Sequence, residues 1–511
     1  MIMKTDEHSQ KLIIVGLDGA TWSVIDPLIQ KGKLPHMARL IREGARGVLR
    51  SLDPMISTML WTCISSGKLP DDHGVRDFAV SSRAVRCKRL WNIFEEAGYT
   101  SGVYGHLITW PPDPINGFMV PGAFALGPET HPPELAFLRR LAMEEVSGKH
   151  RRLRDTLGYA WKGWRHGVRP RTLWGLGTHL ALTALGRIEP QMDFYRKRLL
   201  KLWMDTDVFC RLLETYRPQF SFFYTHLLDS TQHLFWKYHQ PESFGEIPRK
   251  DLDRYGGVVT QAYEQSDRAL GQMLAAAGPD TSVMVISDHG AQAAENAREG
   301  AAWTIRTENL LKMLGLWGQV SAVNIGFHLY LSPRIEQPEV RERLIDIFGG
   351  IVEENSGRPV FEVIPMEHSY IKVMVPEERL EQFRGKTIRV GEQRCRFEDL
   401  VEVSTGRLSG AHHPEAICIL RGSPIRKGAH LSSASLLDVT PTALMLMGFP
   451  MADDMSGRPL TEAVTEEFQA AHPVRHRPTY EDGGQADWDT EAGKPMPEEL
   501  VKQLKALGYL G

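Results

Sequence analysis

Aspartate and histidine residues lie beside several short apolar runs of this 511-residue chain, at points where buried strands would open into loops. Open α/β sheets build their sites at such strand ends. The pattern therefore predicts one shared site, and three carboxylates with three imidazoles suit two adjacent divalent ions. The residues are Asp18 after Lys11–Leu17, Asp229 and His233 after Phe220–Thr225, Asp288 and His289 after 282–287, and His412 before 416–420.

Short β-rich runs alternate with longer helical patterns along most of the chain, as a mostly parallel sheet requires. A further strand is expected at 100–104. Helices are expected at Pro35–Glu43, 89–97, 255–277 and 436–447, each followed by glycine. The sequence thus predicts an α/β fold, either one large domain with insertions or two to three domains.

Composition excludes several classes of protein. Apolar residues make up 42% and charged residues 24%, as in ordinary soluble domains. The formal charge of -3 gives no reason to expect specific nucleic-acid binding. Five scattered cysteines without a CxxC pair argue for a reducing compartment and against a thiolate metal site. With no signal-peptide core in 1–10 and no apolar run of membrane-span length, a cytoplasmic location is expected.

Two segments interrupt the α/β rhythm within an expected catalytic domain at 10–465. The segment 135–203 is helical in composition and rich in tryptophan, and its part 149–171 carries eight Lys or Arg and one acid. It is interpreted as a solvated helical insertion or as a lid that meets anionic substrate or an anionic membrane surface. The segment 326–407 reads as a smaller α/β cap, and 466–511 as a polar C-terminal tail.

A hydroxyl pair, Ser57 and Thr58, stands at the expected start of a helix. Helix N-termini receive phosphate, and a metal-activated hydroxyl at such a place is a nucleophile. The alternative is an ordinary serine N-cap.

The expected ligands have local patterns of their own. Asp229 and His233, four residues apart, would share one helix face. Asp288 and His289 need a turn to reach one ion, and Gly290 is expected to supply the freedom for it. His412 taken alone reads equally as a structural histidine.

An ordered set of motifs is more specific than any of these pieces. It comprises Val-Gly-Leu-Asp-Gly at 15–19, Trp-Thr at 61–62, His-Gly at 73–74, Trp-Pro-Pro at 110–112, Asp-x-x-x-His at 229–233, Ser-Asp-His-Gly at 287–290, Gly-Ala-His at 410–412, and the segments 437–442 and 454–460. In this order the set resembles the alkaline phosphatase superfamily, in particular its type I phosphodiesterase/nucleotide pyrophosphatase family. The resemblance implies an alkaline phosphatase-like three-layer α/β/α fold.

The resemblance also implies roles for single residues. One ion would be held by Asp229, His233 and His412, and the other by Asp18, Asp288 and His289. Ser57 aligns best with the nucleophile, and Thr58 is the neighbouring alternative. The implied reaction is in-line attack on phosphorus, formation of a covalent phospho-enzyme and its hydrolysis by water. Zinc suits the mixed His/Asp ligands best, with manganese as the alternative.

This chain departs from the family pattern at one position that matters for substrate choice. Phe78 stands where nucleotide pyrophosphatases carry a phosphoryl-binding asparagine, so another clamp is expected, either Arg76 or a residue of the insertion. The substrate, a small phosphate ester, is therefore left open, as is the oligomeric state. A phosphodiesterase is the leading hypothesis. The alternatives are a phosphomonoesterase or phosphoryl-transfer enzyme, and a non-catalytic membrane-surface protein that uses 149–171.

Overall fold

The chain is built around one eight-stranded sheet. The computed structural model describes residues 10–78, 80–146, 153–294, 301–325, 327–333, 338–405 and 408–481. The strands are β1 Lys11–Leu17, β2 Ala45–Arg50, β3 Ser101–Tyr104, β4 Gly117–Val120, β5 Phe220–Thr225, β6 Thr281–Ile286, β7 Gly290–Ala293, β8 Ala301–Ile305, β9 Val320–Ile325, β10 His328–Pro333, β11 Val352–Glu353, β12 Glu362–Pro365, β13 Ile371–Met374, β14 Thr387–Val390, β15 Gln393–Arg396, β16 Val401–Thr405, β17 Gly410–His413, β18 Glu415–Arg421, β19 Ala429–Ser435, β20 Met451–Ala452 and β21 His476–Arg477.

Helices connect these strands and cover both faces of the sheet. They are α1 Trp22–Gln30, α2 Pro35–Glu43, α3 Ser57–Ser66, α4 Pro70–His73, α5 Leu90–Glu96, α6 Ala136–Val146, α7 Leu153–Arg165, α8 Pro170–Ala184, α9 Pro190–Tyr216, α10 Leu227–His239, α11 Arg249–Tyr255, α12 Val258–Ala277, α13 Thr307–Met313, α14 Pro338–Gly349, α15 Glu377–Phe383, α16 Phe397–Leu400, α17 Val439–Leu446 and α18 Glu466–Ala471.

The strand order of the large sheet is β19-β2-β18-β6-β1-β5-β3-β4. Neighbouring strands are parallel except where β18 pairs with β2 and β6. The predicted mostly parallel sheet is therefore confirmed. Strands β5, β1 and β6 lie side by side in the same direction, so their carboxyl ends share one edge of the sheet.

Alternate side chains of β1 enter two separate cores. Leu12 and Ile14 pack with α3, α5 and α17 on one face of the sheet. Ile13 and Val15 pack with α1, α2, α9, α10 and α12 on the other. Successive strand residues point to opposite faces, which is why a strand buried on both sides reads as a continuous apolar run. The three-layer α/β/α arrangement expected from the resemblance is confirmed.

A third core lies in the later part of the chain, where a four-stranded sheet, β12-β13-β10-β9, and a three-stranded sheet, β11-β14-β15, are found. Its buried side chains run from Trp303 to Val401. Elements that build this core thus begin before residue 326, where the sequence places the cap, and the domain boundaries at 10–465, 326–407 and 466–511 stay predictions.

The expected insertion at 135–203 contains α6, α7, α8 and the first half of α9. Its residues 147–152, which include Lys149 and the start of the basic run, lie outside the described residues, as does 482–511 of the tail. Helix α9 packs against α12 and α10 of the helical layer on one face of the large sheet, which fixes the insertion to the body. Among the described helices, none is long and apolar enough to cross a bilayer.

Candidate metal centre

The carboxyl ends of β1, β5 and β6 bring three predicted aspartates together. Asp18 follows β1, Asp288 follows β6 by one residue, and Asp229 lies in the first turn of α10, directly after β5. The Asp229 backbone N–H donates to the Asp18 carbonyl at 3.1 Å. Gly19 permits this approach: its φ is +71°, and an added Cβ would lie 3.1 Å from the Asp229 Cα.

Histidines reach the same place from α10 and from a short two-stranded ribbon. His233 lies one helical turn after Asp229, on the same face of α10. His412 lies on β17, which pairs antiparallel with β7, whereas the sequence places it in a loop. Because Gly410 has no side chain, β17 can approach α10: a Cβ there would meet the Gln232 carbonyl oxygen at 2.4 Å.

Gly290 acts differently from the sequence-based expectation. It is absent from the described glycines with positive φ, so conformational freedom is not what brings Asp288 and His289 to one place. An added Cβ at Gly290 would instead lie 2.4 Å from the Glu415 carbonyl oxygen. The position needs glycine because β7 approaches the neighbouring backbone closely.

Backbone carbonyls orient all three histidines in the same way. A carbonyl oxygen can only accept, so each Nδ1 carries a proton, and in the neutral ring the Nε2 lone pair is directed to the site. Such partners fix the tautomer of metal-binding histidines. The bonds are His233 Nδ1 to Gly410 O at 2.9 Å, His289 Nδ1 to Gly290 O at 2.9 Å and His412 Nδ1 to Met55 O at 3.0 Å.

Asp229, His233 and His412 form what we call the first half-site. The Asp229 Oδ1 lies 3.0 Å from the His233 Nε2 and 3.4 Å from the His412 Nε2, and the two Nε2 atoms are 3.1 Å apart. Ligand atoms around a tetrahedral ion at about 2.0–2.1 Å lie about 3.3 Å from one another. The three atoms are therefore spaced as ligands of one zinc-sized ion would be.

Asp18, Asp288 and His289 form the second half-site. The His289 Nε2 lies 3.4 Å from the Asp18 Oδ1 and 3.6 Å from the Asp288 Oδ2. All three atoms are buried, and none has a hydrogen-bond partner among the described residues. Unpartnered buried polar atoms are costly, and a cation held between them would supply the missing interaction. These residues fit a second divalent ion.

The half-sites touch and share a histidine. The rings of His289 and His412 stack with centroids 3.7 Å apart. Ligand atoms of Asp18, Asp288 and His289 lie within 4.8 Å of one another, and so do those of Asp229, His289 and His412. The structure thus brings all six predicted ligands together, and His289 reaches both groups. How the six divide between two ions stays a prediction.

Burial and mutual charge shift the acidities of these groups in opposite directions. Burial, then the charges of Asp288 and Asp229, raises the pKa of Asp18 well above its ordinary value. Burial and the Asp229 charge raise the pKa of Asp288 to about 8. Burial would also raise the pKa of Asp229, but His233 and His412 outweigh it and hold that pKa well below the ordinary value.

Burial and neighbouring charges also set the pKa values of the three histidines. Burial opposes protonation of His233, yet the Asp229 carboxylate raises its pKa to about 9. Burial and then the neighbouring His289 lower the pKa of His412 to about 4. Burial also lowers the pKa of His289. Positive charge in this cluster is therefore concentrated on the first half-site, beside Asp229.

The two candidate nucleophiles differ in their contacts. Ser57 is the first residue of α3, and Ile56 is the N-cap residue, so the plain serine N-cap alternative is wrong. The Ser57 Oγ is buried beside Asp288, whose pKa its hydroxyl lowers, and it has no other hydrogen-bond partner among the described residues. The Thr58 hydroxyl instead donates to the Asp77 carbonyl at 2.9 Å. The free hydroxyl faces the second half-site.

Sequence reasoning missed the two residues that hold Asp18 in place. Its Oδ2 accepts from the Trp61 Nε1 at 3.1 Å and from the Tyr224 hydroxyl at 2.6 Å. Trp61 belongs to a motif used above, but nothing in its spacing shows what its indole contacts. Tyr224, inside the apolar run of β5, could have been suspected because a buried tyrosine hydroxyl needs a partner.

Arg76, one of the expected phosphoryl clamps, has other partners. Its guanidinium donates to Asp71, to the Ser332 Oγ of β10 at 3.1 Å and to the carbonyl of His368. It thus joins the segment after α4 to β10 and to the loop before β13. Phe78 is buried, with its ring 4.9 Å from that of Phe124.

The chain is similar to several known proteins. A curated relative, the 2,3-bisphosphoglycerate-independent phosphoglycerate mutase of Cereibacter sphaeroides, is 26% identical over 147 residues, which cover 26% of this chain and 28% of that protein. The match thus spans little more than a quarter of that relative. Human ectonucleotide pyrophosphatase / phosphodiesterase 5 covers 89% of this chain and 100% of its own, with a TM-score of 0.46 and 12% identity, too low to carry an argument. The family model described as Type I phosphodiesterase / nucleotide pyrophosphatase matches residues 12–382. The match extends over more than half of the sequence, and the chain belongs to this family.

Proposed function

We propose that this protein is a two-metal phosphodiesterase. The Ser57 oxygen attacks phosphorus and displaces one ester alcohol, and water then cleaves the Ser57–phosphorus ester and releases the phosphomonoester. One observation carries the proposal. Two buried Asp/His groups lie together at one edge of the sheet, and the buried Ser57 hydroxyl beside Asp288 has no other partner among the described residues. Family membership supports the same class of reaction, since the family acts on phosphoric esters.

The residues of the chain have separate tasks in this proposal. Trp61 and Tyr224 fix the Asp18 carboxylate, and backbone carbonyls fix the histidine rings, so the ligand atoms are preorganised. Ser57 begins α3, where backbone N–H groups lack helical partners and the helix dipole is positive, which favours phosphoryl oxygens. Two divalent ions would neutralise phosphoryl charge and lower the pKa of the serine hydroxyl.

Zinc is the proposed metal, with manganese as the alternative. Three imidazoles with three carboxylates are a zinc-type ligand set, and the 3.0–3.4 Å spacing in the first half-site suits tetrahedral geometry. The cytoplasmic location expected from the sequence stays a prediction.

A diester is favoured over a monoester because the Arg76 guanidinium is already hydrogen-bonded to other residues of the chain. A phosphomonoester carries one more charge and calls for further cationic groups around it. Arg76, the basic residue nearest the His73-Gly74 motif in sequence, is already bonded to Asp71 and Ser332. A phosphomonoesterase or phosphoryl-transfer enzyme is the second candidate, supported by the partial match to a phosphoglycerate mutase.

Metal analysis combined with two model substrates tests the proposal. Purified protein is analysed by mass spectrometry for bound metal, and hydrolysis of bis-p-nitrophenyl phosphate is compared with that of p-nitrophenyl phosphate. About two ions per chain and faster diester cleavage are expected. Two ions with faster monoester cleavage would favour the second candidate. No turnover of either substrate after addition of zinc or manganese would contradict both and favour a binding protein.

A further inference from the structure

Exposed large apolar side chains cluster on two helices of the insertion. Among the described residues, six of the seven such side chains lie there, and Val474 is the exception. Scattered single residues of this kind are normal on a surface, but a contiguous group marks an interaction site. We call this group the tryptophan face: Leu157, Trp161 and Trp164 of α7, and Trp174, Leu180 and Leu185 of α8 and its end.

Exposed side chains of the two helices adjoin at Trp164 and Trp174. Leu157, Trp161 and Trp164 have the spacing i, i+4, i+7, which places them on one side of α7. Trp164 also lines, with Trp174 and Ala181, a shallow groove of about 610 Å³ between the helices. Trp174 is 76% exposed, although tryptophan is normally highly buried.

The same segment is strongly basic. Residues 156–188 contain no aspartate or glutamate, in a chain whose formal charge is -3. Five exposed cations accompany the apolar side chains, and Arg165 lies over the Trp161 ring at 4.8 Å. They are Lys162, Arg165, Arg169, Arg171 and Arg187. Arg169 is ion-paired with Asp207 of α9 at 3.3 Å, which compensates part of the segment's formal charge of +5. The surface therefore combines aromatic rings with a net positive charge.

We propose that the tryptophan face docks on an anionic phospholipid bilayer. Tryptophan favours the headgroup region, where its ring is buried and its N–H stays near polar groups. Basic helices with tryptophan and leucine on their apolar side lie in that region. Each nearby Lys or Arg adds attraction to anionic lipid. The proposed surface extends past the predicted segment 149–171, because Trp174, Leu180 and Leu185 belong to it.

Charge separates this occupant from a second copy of the chain. A symmetric dimer through the tryptophan face would place like patches against each other, and with them ten positive charges from the two 156–188 segments. Like charges brought together oppose association, whereas an anionic bilayer attracts them. Membrane docking does not require catalysis, so the docking proposal and the phosphodiesterase proposal can be tested independently.

Vesicle flotation of the full chain tests the proposal. Vesicles of phosphatidylcholine with about one third phosphatidylglycerol are compared with pure phosphatidylcholine, at about 0.05 M and 0.5 M salt. Wild-type protein is expected to float with anionic vesicles at low salt and to lose this binding at high salt. It should not bind neutral vesicles. Wild-type protein that binds neither kind of vesicle at low salt would overturn the proposal.

Double variants test whether the tryptophan face is the surface that binds the vesicles. Trp161→Ser with Trp174→Ser, and Lys162→Glu with Arg187→Glu, are each expected to weaken binding at least about tenfold. Val474→Ser and Arg384→Glu are matched controls, exposed at other places, and should bind as wild type. All variants should melt at the wild-type temperature and hydrolyse bis-p-nitrophenyl phosphate at the wild-type rate.

Two results would contradict lipid binding by the tryptophan face. Tryptophan variants that melt normally and bind anionic vesicles as tightly as wild type would remove the tryptophan face from the proposal. A wild-type dimer in sedimentation velocity that becomes monomeric in Trp161→Ser/Trp174→Ser, without vesicle binding by either form, would assign the face to a second copy.

Discussion

The two half-sites use the same residue types but balance their charges differently. In the first, Asp229 faces two imidazoles at 3.0 and 3.4 Å, and its ligand atoms already contact one another. In the second, two carboxylates share one imidazole, and the three ligand atoms are buried without hydrogen-bond partners. Buried charge is tolerated only when it is compensated. The first half-site is partly compensated by its own histidines, whereas the second would be compensated by a cation from outside the chain.

The proposed nucleophile gives the largest expected effect. Its hydroxyl, on Ser57, lies at the half-site that lacks compensation. Ser57→Ala should lower the kcat for bis-p-nitrophenyl phosphate by at least about a thousandfold, since the attacking atom is gone. Metal content should stay at the wild-type value, because no ligand is removed. Activity and bound metal are measured on the same sample.

Thr58→Val is the matched control for this experiment. It removes only a hydroxyl that donates to the Asp77 carbonyl, so it should leave kcat within about tenfold of wild type and lower stability by about 1 kcal/mol. A severe loss of turnover in Thr58→Val with near-normal rates in Ser57→Ala would reverse the assignment of the nucleophile.

Substitutions of one ligand in each half-site should have unequal effects. Asp288→Asn keeps the size of the side chain but removes the charge, so turnover should fall about a hundredfold or more together with bound metal. His233→Gln should cost less, because Asp229, His289 and His412 still form a three-ligand group. Metal per chain and kcat are compared in both. Equal losses would show that the half-sites are not different in the way proposed here.

The sequence predicted which residues come together better than it predicted the contacts that hold them there. Strand β1 and helix α2 have the expected bounds, and the strand-end rule placed Asp18, Asp229 and Asp288 at one edge. These features depend on local periodicity. The contact of Asp18 with Tyr224 joins residues 206 positions apart, and the role of Gly290 depends on the Glu415 carbonyl. Such contacts depend on long-range packing, which a single sequence does not display.

Removal of metal should destabilise the whole protein. Because the proposed ions would bind the folded chain, chelation is expected to lower the free energy of unfolding by about 4 kcal/mol for each ion present at about a thousandfold above its Kd. Calorimetry with and without chelator measures the shift in Tm, and added zinc should restore it. The same scan on Asp288→Asn should show a smaller shift. An unchanged Tm in wild-type protein would contradict a structural role for the ions.

In the metal-free protein the two half-sites should respond to loss of a carboxylate with opposite signs. Asp288→Asn relieves a buried charge whose compensation is missing, so it should raise the free energy of unfolding by about 2 kcal/mol at pH 8–9. Asp229→Asn removes the partner of His233 and should lower it by a similar amount, about 2 kcal/mol. Denaturant melts of both variants in chelator measure the difference. Destabilisation by both changes would mean that the second half-site is compensated without metal.

The pH dependence of the same metal-free samples sharpens this last contrast. The pKa of Asp288, raised by burial and by Asp229 to about 8, lies above its ordinary value. Between about pH 4 and pH 8 the folded chain therefore keeps a proton that the unfolded chain has released, and stability falls as pH rises through that window.

Asp288→Asn removes this group, so the free energy of unfolding of this variant should vary less from pH 6 to pH 8 than that of wild type. Asp229→Asn should lessen the rise in the pKa of His233, which the Asp229 carboxylate causes. Parallel pH profiles for wild type and Asp288→Asn would show that the buried carboxylate of the second half-site does not control the stability of the metal-free fold.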